Sequence, residues 1–410
     1  MRIALLKLKL LLQGSVFRPI KCCVQIDTLG RDCLAEDKCL YNYKNIISVP
    51  PLALIDDIIS VTKCNVDAIE SNTVVNMKIE SKKLRLSKEK CVQIHVSKDN
   101  HKVCDSTLKV HDDKMKKAKE GSYLGDILTD DGTLDKTIES RRQKGIGICS
   151  QVTGIMNSVS LGFFFFKISF TLRDSMLLNG ILTNAEVWNH LKEKHLEILE
   201  VVDLMLLKKV LNAHTMTAKE AFFLETGLLP IKFILSKRRL LYLWTILQRD
   251  ETDLLKRFYQ AQALCKTKND WAELIEKEKK EYAIELTDDE ISGLKKNKFK
   301  VIVEKAVNRK ALEYLNKAAE KHSKSFKLVK CKLAREPYFD DPRLSRNDVE
   351  LLFSLRTRMV DLKKNFSNKY GGDLSCKVCK VEIESQEHLL VCVGLKSKQD
   401  IPKHVAYEDK

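Results

Sequence analysis

Proline and glycine are scarce, with seven and 15 in 410 residues. With so few breakers, long stretches run unpunctuated, and helix is the favoured local state. Aromatic residues are also few, at 7%. No apolar run is long enough to span a bilayer: the most apolar segment, LGFFFFKISFTL at 161–172, is short and carries Lys167. The opening MRIALLKLKLLLQGS is interrupted by Lys7 and Lys9 and lacks a small-residue cleavage site, so it does not read as a secretory signal. Acidic residues number 56 against 72 Lys plus Arg, which leaves a net charge of +16. That excess points to a polyanionic partner such as nucleic acid, although a plain basic surface accounts for it equally well.

Hydrophobic residues at 44% and charged residues at 31% describe a folded chain of two to four domains rather than a disordered polymer. The 13 cysteines do not read as a disulfide framework. Their number is odd, the chain is long, and Cys64, Cys91, Cys149 and Cys265 lie singly in apolar runs where thiols act as small hydrophobes. These features place the chain in a reducing compartment, nuclear or cytoplasmic, neither secreted nor in a membrane.

Residues 1–130 alternate short apolar runs with polar helical stretches, an α+β texture. VPPLALIDDIISV at 49–61 reads as two short strands joined by Asp56-Asp57, 64–84 as a helix, CVQIHV at 91–96 as a strand, and SYLGDIL at 122–128 as another. From about 135 the pattern turns helical. Residues 181–211 carry apolar positions at helical spacing over two helices. Thr217 and Glu220 have capping-box spacing. Gly227 and Pro230 end that helix and open the next, IKFILSKRRLLYLWTIL. A lysine-rich helical stretch fills 271–322, Pro337 and Pro342 mark a break, and Ser345 caps a last long helix before a Gly-Gly hinge at 371–372. Gly145-Ile-Gly147 has two glycines of a dinucleotide loop but no strand before it. His190 and His195, near Trp188, read as packed or solvated helix residues.

The sharpest local pattern is Cys376-Lys-Val-Cys379, eight residues, His388, three residues, Cys392. Two thiolates on one tight turn, with a distal imidazole and thiolate on one helical face, match tetrahedral zinc ligation. Four protein ligands leave no open position, so such a site is structural. A redox CxxC needs neither the His nor the third Cys. Asp56-Asp57 is more equivocal. Adjacent carboxylates between apolar runs are either a wet hairpin turn or, if buried, a cation site.

The order of these segments resembles the later palm motifs of reverse transcriptases from non-LTR retrotransposons. Gln13-Gly14-Ser15 with Pro19 is similar to the loop beside template and incoming nucleotide, and Ile55-Asp56-Asp57 to the metal-binding hairpin. Lys88 and Lys90 fall in the segment of the lysine-bearing strand, and Tyr123-Leu124-Gly125 is similar to the primer-grip strand. The helices from LLNGILTNAEVWNHL onward resemble the thumb, and the terminal cluster resembles the zinc knuckle that closes many such polyproteins.

The resemblance implies a partial palm at 1–130, a helical thumb and connector at 131–345, and a basic helix with a Cys-Cys-His-Cys knuckle at 346–410. The fold class it implies is an α+β partial palm followed by a mostly α-helical part and a small zinc module. The parent activity is RNA-directed DNA synthesis coupled to insertion at a nicked chromosomal site. Asp56 would ligate Mg²⁺, with Asp57 assisting. RNA and DNA are the implied partners, contacted through Lys232, Lys237, Arg238, Arg239, Arg356 and Arg358; a solvated helix face is the competing reading for those six. One departure matters. MRIALLKLKLLL, before the Gln-Gly-Ser loop, holds no Asp or Glu. A third metal-binding carboxylate is then missing, and an upstream polypeptide completing the palm becomes a further implied partner.

Overall fold

Strand β1 (Arg2–Lys7) has the sequence RIALLK, apolar on both of its alternating faces. Both faces are buried, against different layers. Ala4 and Leu6 pack with Ile58, Ala68, Val75 and Ile79, whereas Ile3 and Leu5 pack with Ile59, Ile94, Tyr123 and Leu128. A strand covered on both sides needs a continuous apolar run, and each such side chain contributes about 1.5–3 kcal/mol. In this computed structural model the described residues are 1–7, 29, 33, 40–54, 56–96, 107–158, 162–189, 191–321 and 328–396.

The strands that follow are β2 (Tyr41–Tyr43), β3 (Ile47–Val49), β4 (Leu52–Leu54), β5 (Asp57–Thr62), β6 (Val92–His95), β7 (Lys109–Val110), β8 (Asp113–Lys114), β9 (Lys116–Lys117), β10 (Glu120–Tyr123) and β11 (Asp126–Thr129). The main sheet has the order β4-β5-β1-β6-β9. It is antiparallel except for the parallel β6–β9 pair, and β1 lies between β5 and β6. Helix α1 (Asn65–Ser81) covers one face, starting at Cys64, whose thiol accepts from the Asp67 N–H at 3.4 Å. The β10–β11 hairpin covers the other face and comes so close that a Cβ on Gly121 would stand 2.5 Å from a Leu5 methyl.

SYLGDIL is not one strand, as its apolar content suggested, but the two arms of this hairpin. Leu124 and Gly125 form the turn with φ of 49° and 87°, the two-residue left-handed geometry that matches strand twist. The other strand readings before 100, and the helix over 64–84, are present within a residue or a few.

Helices dominate the rest: α2 (Asp135–Ser158), α3 (Phe165–Leu172), α4 (Glu193–Val210), α5 (Lys219–Thr226), α6 (Ile231–Leu247), α7 (Leu254–Cys265), α8 (Trp271–Glu281), α9 (Asp288–Gly293), α10 (Lys296–Lys321), α11 (Arg346–Arg356) and α12 (Gln386–Val391). Gly145 and Gly147 sit inside α2, not in a loop. The two helices expected over 181–211 reduce to α4 alone, preceded by a single 3₁₀ turn at Ala185–Val187. The capping box at Thr217 does not form. Ala218 is the cap residue and offers no side-chain acceptor, and the Thr217 hydroxyl is buried without a hydrogen-bond partner. Ser345 does cap α11, in a reciprocal box with Asp348, but the helix stops at Arg356 rather than continuing toward 366.

The chain divides into two compact units, each assembled from three separated stretches: 1–145, 179–199 and 234–307 in one, and 146–178, 200–233 and 308–410 in the other. The boundaries expected after 130 and after 345 fall inside the first and second unit respectively. All described cysteines are free thiols. Cys91 and Cys149 are buried as expected, and burial pushes the Cys149 thiol up to about 11. Cys64 is exposed at the start of α1, and Cys265, at the end of α7, is partly covered where it packs against the Tyr43, Ile47 and Ala261 cluster.

Candidate metal centre

An isolated bridge between Ser375 and Ile383 closes the turn that carries the CxxC pair. Inside it, the Cys376 N–H donates to the Glu382 carbonyl at 2.6 Å and the Lys380 N–H to the Cys376 carbonyl at 2.9 Å. Lys380 takes a positive φ of 61° to bring the chain round. Helix α12 then opens on Ser385, whose hydroxyl accepts from the His388 N–H at 3.1 Å. That cap fixes where the helix starts, so His388 falls inside it and Cys392 directly after its last residue. Turn and short helix together converge four donors from 17 residues of chain.

The Cys376, Cys379 and Cys392 sulfurs and one His388 ring nitrogen all lie within 4.8 Å of one another. Cys376 Sγ is 3.9 Å from Cys392 Sγ, and Cys379 Sγ is 3.3 Å from His388 Nε2. Bonds of about 2.3 Å to sulfur and about 2.0 Å to nitrogen around a tetrahedral ion imply edges of roughly 3.5–3.8 Å, so the separations and donor chemistry fit an ion such as zinc. Among the described residues this is the one group of three or more His, Cys, Asp or Glu side chains placed to hold a metal.

The surroundings favour thiolate. Backbone N–H groups of Glu382 and Val381 directed at Cys379 bring its thiol down to about 6, and N–H groups of Cys379 and Val378 lower that of Cys376. Burial raises Cys392. Burial also opposes charge on His388, but its contacts with Cys376, Cys379 and Glu382 outweigh that and raise it. Glu382, which the ligand spacing did not single out, accepts from His388 Nδ1 at 2.9 Å. This leaves Nε2 for the metal and fixes the ring.

Asp56 lies in the turn between β4 and β5, and Asp57 is the first residue of β5, in register with Leu54 and with Lys7 of β1. Both residues are half-buried and one Asp57 carboxylate oxygen is shut off from solvent, so the pair sits at a hairpin turn but is not fully wet. Tyr123 packs on the sheet face beside Ile3, Leu5 and Ile59, where burial, and next the Asp57 charge, raise its phenol above the ordinary value. Lys88 and Lys90 are exposed in the turn before β6 rather than in a strand, and Lys88 pairs with Asp113. Gln13, Gly14, Ser15, Pro19 and His190 lie outside the described residues.

Most of the singled-out basic residues are engaged within the fold. Lys237 pairs with Glu304 at 2.7 Å, and Arg238 donates to the Leu182 carbonyl at 3.0 Å. Arg239 is buried and binds Glu278 at 2.8 Å and the Trp188 carbonyl, which removes it from any surface that nucleic acid could touch. Arg356 grips the fully buried Glu225 through two nitrogens, at 2.7 and 3.1 Å, beside the Tyr338 hydroxyl at 2.8 Å. Arg358 pairs with Glu387 at 2.8 Å. Lys232 is exposed beside the Phe233 ring. His195 is buried against Asp135 at 2.6 Å, a packed and satisfied histidine.

Fold and site together define an α+β protein, mostly helical, with a small mixed sheet and a Cys3His centre fit for a metal ion. No known protein family matches the chain, and no curated protein matches its sequence. Among the described residues no helix is long and apolar enough to cross a membrane.

Proposed function

We propose that the chain derives from the reverse transcriptase of a non-LTR retrotransposon and acts as a binder of RNA and DNA, with RNA-directed DNA synthesis as its ancestral chemistry. The observation that carries this reading is the Asp56–Asp57 turn. It closes a hairpin in a sheet backed by one helix, with Tyr123 of a second hairpin packed on the sheet's other face within reach of the Asp57 charge. Nucleotidyl transfer uses two Mg²⁺ ions about 3.5–4 Å apart to activate the primer hydroxyl and neutralise the leaving pyrophosphate, and carboxylates must hold both. Asp56 would be the ligand and Asp57 its neighbour. The strand beside β5 is β1, RIALLK, which offers no third acid and places Lys7 in register with Asp57. A cationic residue at that position works against divalent ions.

Primer extension with this polypeptide alone, on RNA or DNA template with Mg²⁺ or Mn²⁺, is therefore expected to give no dNTP incorporation; measurable incorporation overturns that part of the reading. Binding is expected to follow the net charge of +16. Affinity for RNA or DNA should fall linearly on a log–log plot against salt, and salt-insensitive binding, or none, counts against a nucleic-acid binder. The Cys3His centre takes zinc in a structural role, since all four positions are filled by protein.

A further inference from the structure

A cleft of about 640 Å³ opens in the second unit between the start of α5 and the last turns of α10. Along α10 its wall is Tyr314, Lys317, Ala318 and Lys321, the i, i+3, i+4, i+7 spacing of one helical face. From α5 it is bordered by Lys219, with Ala218 leaving room beside it. The neighbouring positions Ala311, Leu315 and Ala319 are buried and anchor the adjoining face of α10.

Tyr314 does not belong to that core face. It is 42% exposed, yet it is not loose: the buried Phe233 ring braces it at 5.6 Å between centroids. Lys317 and Lys321 are exposed on the same wall. Lys219 is held by Glu200 at 3.3 Å and lies near enough to Tyr314 for the phenol to act on its ammonium. Glu220, 2% exposed, is the acid among the lining residues. Arg239, Arg356 and Arg358 are engaged with acids elsewhere, whereas here exposed cations flank a braced aromatic plane.

A fixed aromatic ring beside ammonium groups suits one chemistry in particular, a planar base joined to phosphate. Every base has a π-face, so such a site tolerates sequence, but the face is free only where the base is unpaired. We infer that this cleft lodges one unpaired nucleotide of a nucleic-acid strand, with its base on Tyr314 and adjoining phosphates against Lys317 and Lys321. The inference rests on the reading of the chain as a nucleic-acid binder and assigns that binding a place.

The test is fluorescence anisotropy of the full chain with labelled single-stranded oligothymidylate across a salt series. Tyr314→Leu keeps apolar contact with Phe233 and removes the stacking plane; it is expected to weaken binding roughly ten- to hundredfold. Lys317→Ser with Lys321→Ser should reduce the slope of log affinity against log salt by about 1.4, two phosphate contacts on a single strand. Thymidine monophosphate should displace the oligonucleotide at lower concentration than inorganic phosphate; equal potency would reduce the cleft to a cationic patch and overturn the stacking. Wild-type binding left unchanged by both variants, with unaltered circular dichroism, overturns the inference and leaves the binder reading standing. No wild-type binding to any strand overturns both.

Discussion

The metal centre depends on single side chains. Cys379→Ser removes a sulfur that backbone N–H groups already favour as thiolate, and is expected to abolish stoichiometric zinc on metal analysis of the purified protein; metal retained at one equivalent would refute the ligand set. Glu382→Gln keeps the size and hydrogen-bonding capacity of the side chain but loses the charge beside the imidazole, and a competitive chelator titration should show zinc affinity lowered about 10–100-fold. The ligands were legible because spacing alone marks CxxC with a distal His and Cys, whereas Glu382 carries no spacing signal and becomes visible only when the turn folds it back onto His388. The basic residues show the opposite failure. Arg239 sits in the run KRR, which reads as surface charge, yet its guanidinium is 7% exposed against Glu278 at 6%. A buried ion pair needs a partner from a distant stretch, and local sequence does not announce it.

At the scale of elements, the Gly227 helix end followed from residue type, whereas capping spacing held at Ser345 and failed at Thr217 because it depends on which way a side chain turns. Gly227 ends α5 with φ of 68°, and a Cβ there would stand 2.4 Å from the Arg335 backbone nitrogen. Only glycine meets both demands, so the residue type sufficed to place the end. Thr217 has the right spacing for a cap, but its hydroxyl is buried and unsatisfied, because the chain enters α5 through Ala218 instead. Denaturant midpoints should therefore move in opposite directions. Gly227→Ala is expected to destabilise by about 1–3 kcal/mol from the backbone strain alone, and more from the close contact. Thr217→Val, nearly isosteric, should stabilise by about 1 kcal/mol by deleting an unmade hydrogen bond. The β10–β11 hairpin was hidden for a related reason: Leu124 at positive φ is no turn signal, and the apolar run passes straight through it.

At the scale of the whole molecule, neither unit is a continuous stretch of sequence, and four of the five points where the chain leaves one unit for the other fall inside α2, α4, α6 and α10. Composition and periodicity show where helices are, not which of two cores each half serves, so this interleaving was not legible. A fragment starting at 131 keeps every stretch of the second unit and loses the sheets of the first, including the separate β2–β3 ladder with Tyr43 and Ile47, on which α7 packs. Hydrogen exchange on that fragment should show α5 and α11 still protected and α7 exchanging freely; protection of α7 equal to that in the full chain would argue that the sheet is dispensable to its unit. The same interleaving has a genetic face. A premature stop codon anywhere from 146 to 307 deletes parts of both units at once, so nonsense mutations there leave no intact half, and only those after Val307 spare the first unit in full.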